Sequence, residues 1–295
     1  MTTSESELRI RELIMHRLSE MAAETGTVTR EQLTAFPVAD QMWKLVDQSR
    51  GIRNPRELEA TLTVMSSSDG PYSDAELDGS LYRYDYRSGG DGGDNTKLRR
   101  AYELGVPIIL LRKIRSKTFV PVFPVYVVGD DRDGKFFLLA LDESIRFLAN
   151  PQHPSEAERR YIARITRQRL HQPEFRGRVM LAYETKCAVC HLKHGRLLDA
   201  AHIIGDNEPG GEPVVQNGLA LCKIHHAAYD NDLLGISPDY TVHINDDLLQ
   251  ERDGPMLKHG LQEMNGRDLH LPSLRLEQPD RDRLSTRFEK FQDAS

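Results

Sequence analysis

Apolar residues recur at helical spacing over residues 4–24, with Ile10, Leu13, Ile14, Leu18 and Met21 on one face. Ser4 and Glu7 have capping-box spacing at its start. Thr29 and Gln32 repeat that spacing and predict a second, short helix. From about residue 59 the period shortens. Leu62 with Val64, then 81–86, 108–111, 120–128 and 136–141, read as short strands separated by turn-rich segments. Residues 88–94 (SGGDGGD) read as a loop, followed by a helix from about Asn95 to Leu104. Pro121 and Pro124 lack the N–H that a ladder needs, so their strand is expected at an edge or beside a bulge. Several strands with few helices imply a small curved sheet or barrel.

Pro151 and Pro154 mark a boundary. A basic helix is expected over about 155–170 and another over about 173–183. Residues 187–244 are then dense in Cys, His, Asn and Asp. From 246 to 295 the chain returns to mixed charge, with Pro272, Pro279 and a last helix around 280–291. No internal repeat or low-complexity tract interrupts this order. The expected class is α+β: a β-rich domain over 1–150, a basic helical linker over 151–183, and a Cys/His-rich domain with a C-terminal helical extension over 184–295. At roughly 150 residues per domain, a chain of this length accommodates about two.

Charged residues at 28% and hydrophobic ones at 39% exclude a largely disordered chain. The longest apolar stretch, 119–128, holds ten residues and two prolines, too short and too broken to cross a bilayer as a helix. Charges interrupt the apolar positions of the N-terminal segment, so no secretory signal is read and a cytoplasmic location is expected. A net charge of −6 argues weakly against a nucleic-acid partner, but its distribution argues for one. Residues 159–196 carry ten Lys and Arg against Glu174 and Glu184, a local +8. Arg164, Arg167 and Arg178 in this stretch are the candidate phosphate contacts.

Three cysteines cannot close a disulfide set, and their spacing suits a metal better. Cys187-x-x-Cys190 is followed by Cys222-x-x-His225. Two short-spaced pairs of soft or borderline ligands can close a tetrahedral zinc site, each pair turning on a tight knuckle. The rival arrangement, three buried thiols and a surface histidine, does not require two such pairs. A closed site of this kind is structural. It staples a segment with few large apolar residues.

Between and after the knuckles stand His202, Asn217 and His226, spaced by 15 and 9 residues. With the flanking knuckles, this resembles the HNH (ββα-metal) nuclease motif over 187–244. The resemblance implies His202 as general base on the first strand and Asn217 as the holder of the loop between the strands. It implies His226, on the helix, as a ligand of a catalytic divalent ion, Mg2+ or Mn2+. The chemistry agrees: hydrolysing a phosphodiester needs a water deprotonated near neutral pH and a cation where negative charge grows. One position departs from the pattern. Many family members carry a second metal ligand just before the base, where this chain has Ala201. Asp199, two residues earlier on the same strand face, and Asp230, one helical turn after His226, are the substitutes expected to complete the ion's shell. His191, His194 and His243 are read as surface residues.

Residues 91–112 (DGGDNTKLRRAYELGVPIILLR), with 125–128 beyond, resemble the SRA (SET and RING associated) domain, without that family's Tyr-Asp-Gly signature. The resemblance covers about 51–141. It implies a curved β-barrel that flips a modified cytosine, 5-methyl or 5-hydroxymethyl, out of duplex DNA. A flipped base needs aromatic faces and polar partners along its edge. Tyr82, Tyr84 and Tyr86, with Asp85, are therefore the candidate base-binding residues. The same alternation also describes a half-buried strand with tyrosines on its core face. Arg50, Arg53 and Arg56 are further phosphate-contact candidates. Taken whole, the chain resembles the SRA–HNH modification-dependent restriction endonucleases. One HNH site cuts one strand, so a homodimer is expected for a double-strand break, with the terminal helices as candidate dimer elements. Two alternatives stand beside this: a nuclease reading N6-methyladenine or phosphorothioate, and a non-catalytic zinc-bearing DNA-binding regulator in which Ala201 marks a dead site.

Overall fold

A computed structural model describes residues 3–47, 50–67, 75–76, 81–87 and 92–294; the Ser4 side chain and residues 88–91 of the expected glycine-rich loop lie outside the described part. The chain divides into two compact units, Met1–Glu174 and Phe175–Ser295.

In the first unit, helix α1 (Thr3–Ala22) buries Ile14, Met15 and Leu18, while Leu13, expected on the same face, is exposed. Beside them lies a fully buried Arg11, which the apolar periodicity did not signal. Its guanidinium pairs with Glu7 and donates to the carbonyls of Ala60, Thr61 and Pro107. A buried cation is tolerated because every such contact replaces lost hydration. Strand β1 (Val28–Thr29) leads into α2 (Arg30–Thr34), whose Thr29–Gln32 capping box forms as expected. A small hairpin, β2 (Phe36–Val38) and β3 (Gln41–Trp43), follows.

The main sheet uses β4 (Ile52–Arg53), β5 (Thr63–Ser67), β6 (Ala75–Glu76), β7 (Tyr82–Asp85), β8 (Ile108–Arg115), β9 (Thr118–Asp131) and β10 (Phe136–Ala140), with helix α3 (Asp94–Leu104) between β7 and β8. Their order is β4-β5-β8-β9-β10-β7-β6, and β1 also pairs with β9. Long strand β9 pairs with β8 through its first half and with β10 through its second, which curls the sheet into a half-barrel. The register slips where Ile108 faces Val125 but Leu110 faces Val122. Pro121 and Pro124 sit at and beside this bulge, as their missing N–H groups require. The first half of β8, Ile108 to Leu111, is buried on both faces. Ile108 and Leu110 join one apolar cluster with Tyr84, Leu98 and Phe137, while Ile109 and Leu111 join another with Ile14, Leu18 and Phe36.

Helix α4 (Glu156–Thr166) starts at a Ser155–Glu158 capping box and ends sooner than the expected 155–170 helix, in a π-helical turn over Arg167–His171. Helix α5 (Gln172–Ala182) follows directly.

The second unit is built on a two-stranded hairpin, β11 (Leu198–His202) and β12 (Gly218–Cys222), and the helix α6 (Lys223–Asp230) that leaves it. A second hairpin, β13 (Leu234–Ile236) and β14 (Val242–Ile244), is followed by α7 (Asp246–Gln250), α8 (Pro255–Gly260) and α9 (Arg281–Ala294). Phe175 and Val179 of α5 pack on Gly218, where an added Cβ would come within 2.5 Å of Val179. Among the described residues, no helix is long and apolar enough to cross a membrane.

Candidate active site

Cys187, Cys190, Cys222 and His225 bring one ligand atom each within 4.8 Å of one another, and among the described residues they are the one such group of His, Cys, Asp and Glu side chains. The Nδ1 of His225 lies 3.4 Å from Cys187 Sγ and 3.1 Å from Cys222 Sγ. Its Nε2 is 2.7 Å from the carbonyl of Gly260, which takes the ring N–H and leaves the Nδ1 lone pair facing the sulfurs. Three sulfurs and one imidazole nitrogen at mutual contact are a donor set that fits structural zinc.

The hairpin places the remaining chemistry. Asn217, fully buried, accepts from the Ile204 amide at 2.9 Å and donates to the carbonyls of Ile204 at 3.0 Å and Glu212 at 3.2 Å. Its own carbonyl accepts from Ile203 at 2.9 Å. The loop between β11 and β12 is thereby tied at its root, beside His202. Within that loop Gly211 has no room for a side chain, because a Cβ would stand 2.0 Å from the carbonyl oxygen of Gly205.

His202 stacks on Phe175, ring centroids 4.1 Å apart, and its Nε2 is buried without a hydrogen-bond partner among the described residues. Burial, opposed by Asp206 and reinforced by His226, holds its imidazole below the ordinary histidine pKa. His226 points both ring nitrogens at carboxylates: Nδ1 is 3.2 Å from Asp199 and Nε2 is 3.3 Å from Asp230. Asp199 in turn receives Lys223 Nζ at 2.6 Å, and Arg176 lies 3.7 Å away. Burial raises the Asp199 carboxyl, but Lys223 and His226 outweigh it and hold it below the usual range.

Alternation along β11 separates these groups. Ala200 and His202 line an open cleft of about 460 Å3, shared with His226, Asp206, Glu208, Asp230, Asp232, Arg287 and Lys290. Asp199 and buried Ala201 take the other face of the strand. His202, His226 and Asp230 are thus brought to one cleft, while Asp199 meets His226 from behind. Asp206, Glu208 and Asp232 were not singled out from the sequence, nor were Arg287 and Lys290 on α9. The usable signal was Arg283, Arg287 and Lys290 at i, i+4, i+7.

Of the other expected residues, Arg164 and Arg167 are exposed in the first unit, and Arg178 is half-buried in the second. Tyr82, Tyr84 and Tyr86 are buried in the half-barrel's core. Their hydroxyls meet Ser66 and Arg112, Gly51 and Arg87, and Asp130 and Arg99, respectively. Asp85 pairs with Arg83 at 2.8 Å.

Residues 187–237 match the HNH endonuclease family, so the hairpin, its knuckles and α6 form an HNH endonuclease domain. Among solved structures, a modification-dependent TagI restriction endonuclease aligns over 89% of this chain and 90% of its own, at 16% identity and a TM-score of 0.29. No curated protein matches the chain.

Proposed function

We infer that this chain is a modification-dependent DNA endonuclease. Its second unit hydrolyses a phosphodiester, and its first unit recognises a modified base in duplex DNA. The observation that carries the reading is the convergence of His202, with an unpartnered buried nitrogen, and His226, with a carboxylate on each ring nitrogen, on one cleft beside a Cys3His cluster.

In this reading His202 takes the proton of the attacking water. A depressed pKa keeps its imidazole neutral, and so able to accept, at neutral pH. Asn217 holds the loop that flanks it. His226 gives its Nδ1–H to Asp199, so Nε2 presents a lone pair toward the cleft beside the Asp230 carboxylate. Two electron-pair donors side by side fit a hard divalent cation, Mg2+ or Mn2+, and Ala201 leaves its position without one. His226 and Asp230 would hold such an ion, which would supply positive charge where negative charge grows on the scissile phosphate and the leaving oxygen. Asp199 then orients His226 from the far side, as carboxylates behind metal-binding histidines do.

The mark proposed is 5-methyl- or 5-hydroxymethylcytosine, read by base flipping in the half-barrel. The curled sheet and the SRA resemblance of residues 91–112 support it. Tyr82, Tyr84 and Tyr86, buried in the core of that sheet, and Asp85, paired with Arg83, are proposed to back such a pocket. A homodimer is proposed for double-strand cleavage. The test is to incubate unmodified, cytosine-methylated and adenine-methylated plasmids with Mg2+, Mn2+ or EDTA. Cutting of methylcytosine DNA alone, and only with a divalent ion, is expected. Cutting that follows adenine methylation moves the mark, and binding without cutting under every condition removes the nuclease.

A further inference from the structure

Helix α9 lies outside residues 187–237, yet it supplies both full cations that line the cleft, Arg287 and Lys290. The helix is firmly seated. Leu284 and Phe291 are buried, and a Cβ on Gly235 would stand 2.4 Å from the Phe291 ring. Arg287 is committed to that seating: 12% exposed, it pairs with Asp232, donates to the carbonyl of Tyr229 and covers the Tyr229 ring at 4.6 Å.

Lys290, almost one turn on, is different. It is half exposed, and its one partner among the described residues is Glu208 of the β11–β12 loop, at 2.6 Å and equally exposed. The cleft is lined by four carboxylates, Asp206, Glu208, Asp230 and Asp232, against these two cations. An incoming phosphodiester therefore needs a cation able to change partners. An exposed lysine–glutamate pair is that cation, because such pairs contribute little and exchange readily. The Glu208 carboxylate already marks where an anionic oxygen sits on the ammonium.

Resting on the nuclease reading above, we propose that Lys290 contacts a backbone phosphate of the DNA strand in this cleft. Glu208 holds its ammonium in position until the phosphate takes the carboxylate's place. The C-terminal helix thus completes the DNA site of the HNH domain.

The experiment measures binding of the full chain, in a His202→Ala background that keeps the DNA intact, to a short unmodified duplex across a salt series. Lys290→Gln lowers the slope of log affinity against log salt by about 0.9, so its deficit shrinks about 3.5-fold between 50 and 200 mM salt. Lys290→Arg keeps the slope. Glu208→Gln breaks the same ion pair but leaves the cation, and it tightens binding. If Lys290→Gln leaves the slope unchanged, or if the Gln variants at 208 and 290 both weaken binding, the proposal falls. Cleavage of the plasmid panel by the wild type is scored separately. A shifted slope without any cleavage keeps the phosphate contact and removes the nuclease. Cleavage with an unshifted slope does the reverse, and no measurable DNA binding by the parent protein overturns the contact.

Discussion

Replacing Asn217 by alanine tests how the site is held. The side chain is fully buried and satisfies three backbone groups of the loop: the Ile204 N–H, the Ile204 carbonyl and the Glu212 carbonyl. Alanine strands two of them. The Glu212 carbonyl keeps the Val214 amide at 2.8 Å, whereas the N–H and carbonyl of Ile204, a residue only 6% exposed, are left without a partner. Two buried orphans at about 1–3 kcal/mol each give a loss of about 2–6 kcal/mol. That is a large part of the ~5–15 kcal/mol that holds a typical domain. Hydrogen exchange reports it locally: losing the acceptor raises opening at the Ile204 amide about 5- to 150-fold. The Ile203–Asn217 backbone bond survives, so the hairpin keeps its register while its loop loosens. Asn217→Asp keeps the acceptor but turns a carboxylate toward two carbonyl oxygens, and it should be at least as damaging. Unchanged Ile204 exchange in Asn217→Ala, with a stability loss below about 1 kcal/mol, refutes the reasoning.

Four further outcomes are expected. His202→Ala abolishes plasmid cleavage and leaves DNA retention in a gel-shift assay intact; wild-type cutting by this variant removes His202 from the chemistry. Because burial lowers the His202 pKa, the base loses its proton-accepting form only below pH 6.5, so the acid limb of kcat/KM has its midpoint under that value. By the same sign, the unfolded chain takes up this proton first as pH falls, and the associated stability is lost on acidification through 6.5. Elemental analysis finds one zinc per chain, none in Cys222→Ser, and chelation unfolds the second unit in far-UV circular dichroism. Asp199→Asn raises the Mn2+ concentration needed for half-maximal cleavage about 10- to 100-fold, and an unchanged titration returns Asp199 to a purely structural part.

What could be read in the chain without coordinates was whatever rests on local spacing. The Thr29 cap, the strands from β7 to β10 and both knuckles follow from residues a few positions apart, and all form. Contacts set by tertiary packing were not legible. Arg11 sits on an apolar helix face with its charge inside, because carbonyls from 49 to 96 residues away converge on it. The tyrosines of β7 alternate just as stacking residues would, and alternation alone cannot separate a ligand-facing strand from a core-facing one. Asp199 was placed on the right strand, but the two-residue period turns it away from the cleft that His202 faces. The cleft's own cations come from a helix more than 50 residues beyond α6, and only their spacing hinted at a shared face.

Helix α6 shows why such distant parts are needed. It has eight residues, too few to be stable alone. At its start Cys222 and His225 belong to the zinc-type cluster, and at its end Arg287 holds the Tyr229 carbonyl and Asp232. His226 stands between these two clamps. Adjacent helical residues diverge by about 100°, so when His225 is fixed toward the sulfurs, His226 has little choice but to face the cleft. Asp199 then selects the ring nitrogen that faces it. A cluster with no part in the proposed chemistry thereby decides the aim of His226. The Cys3His cluster and α9 would thus matter to the proposed cleavage as much as His202, although neither need touch the phosphate that is cut.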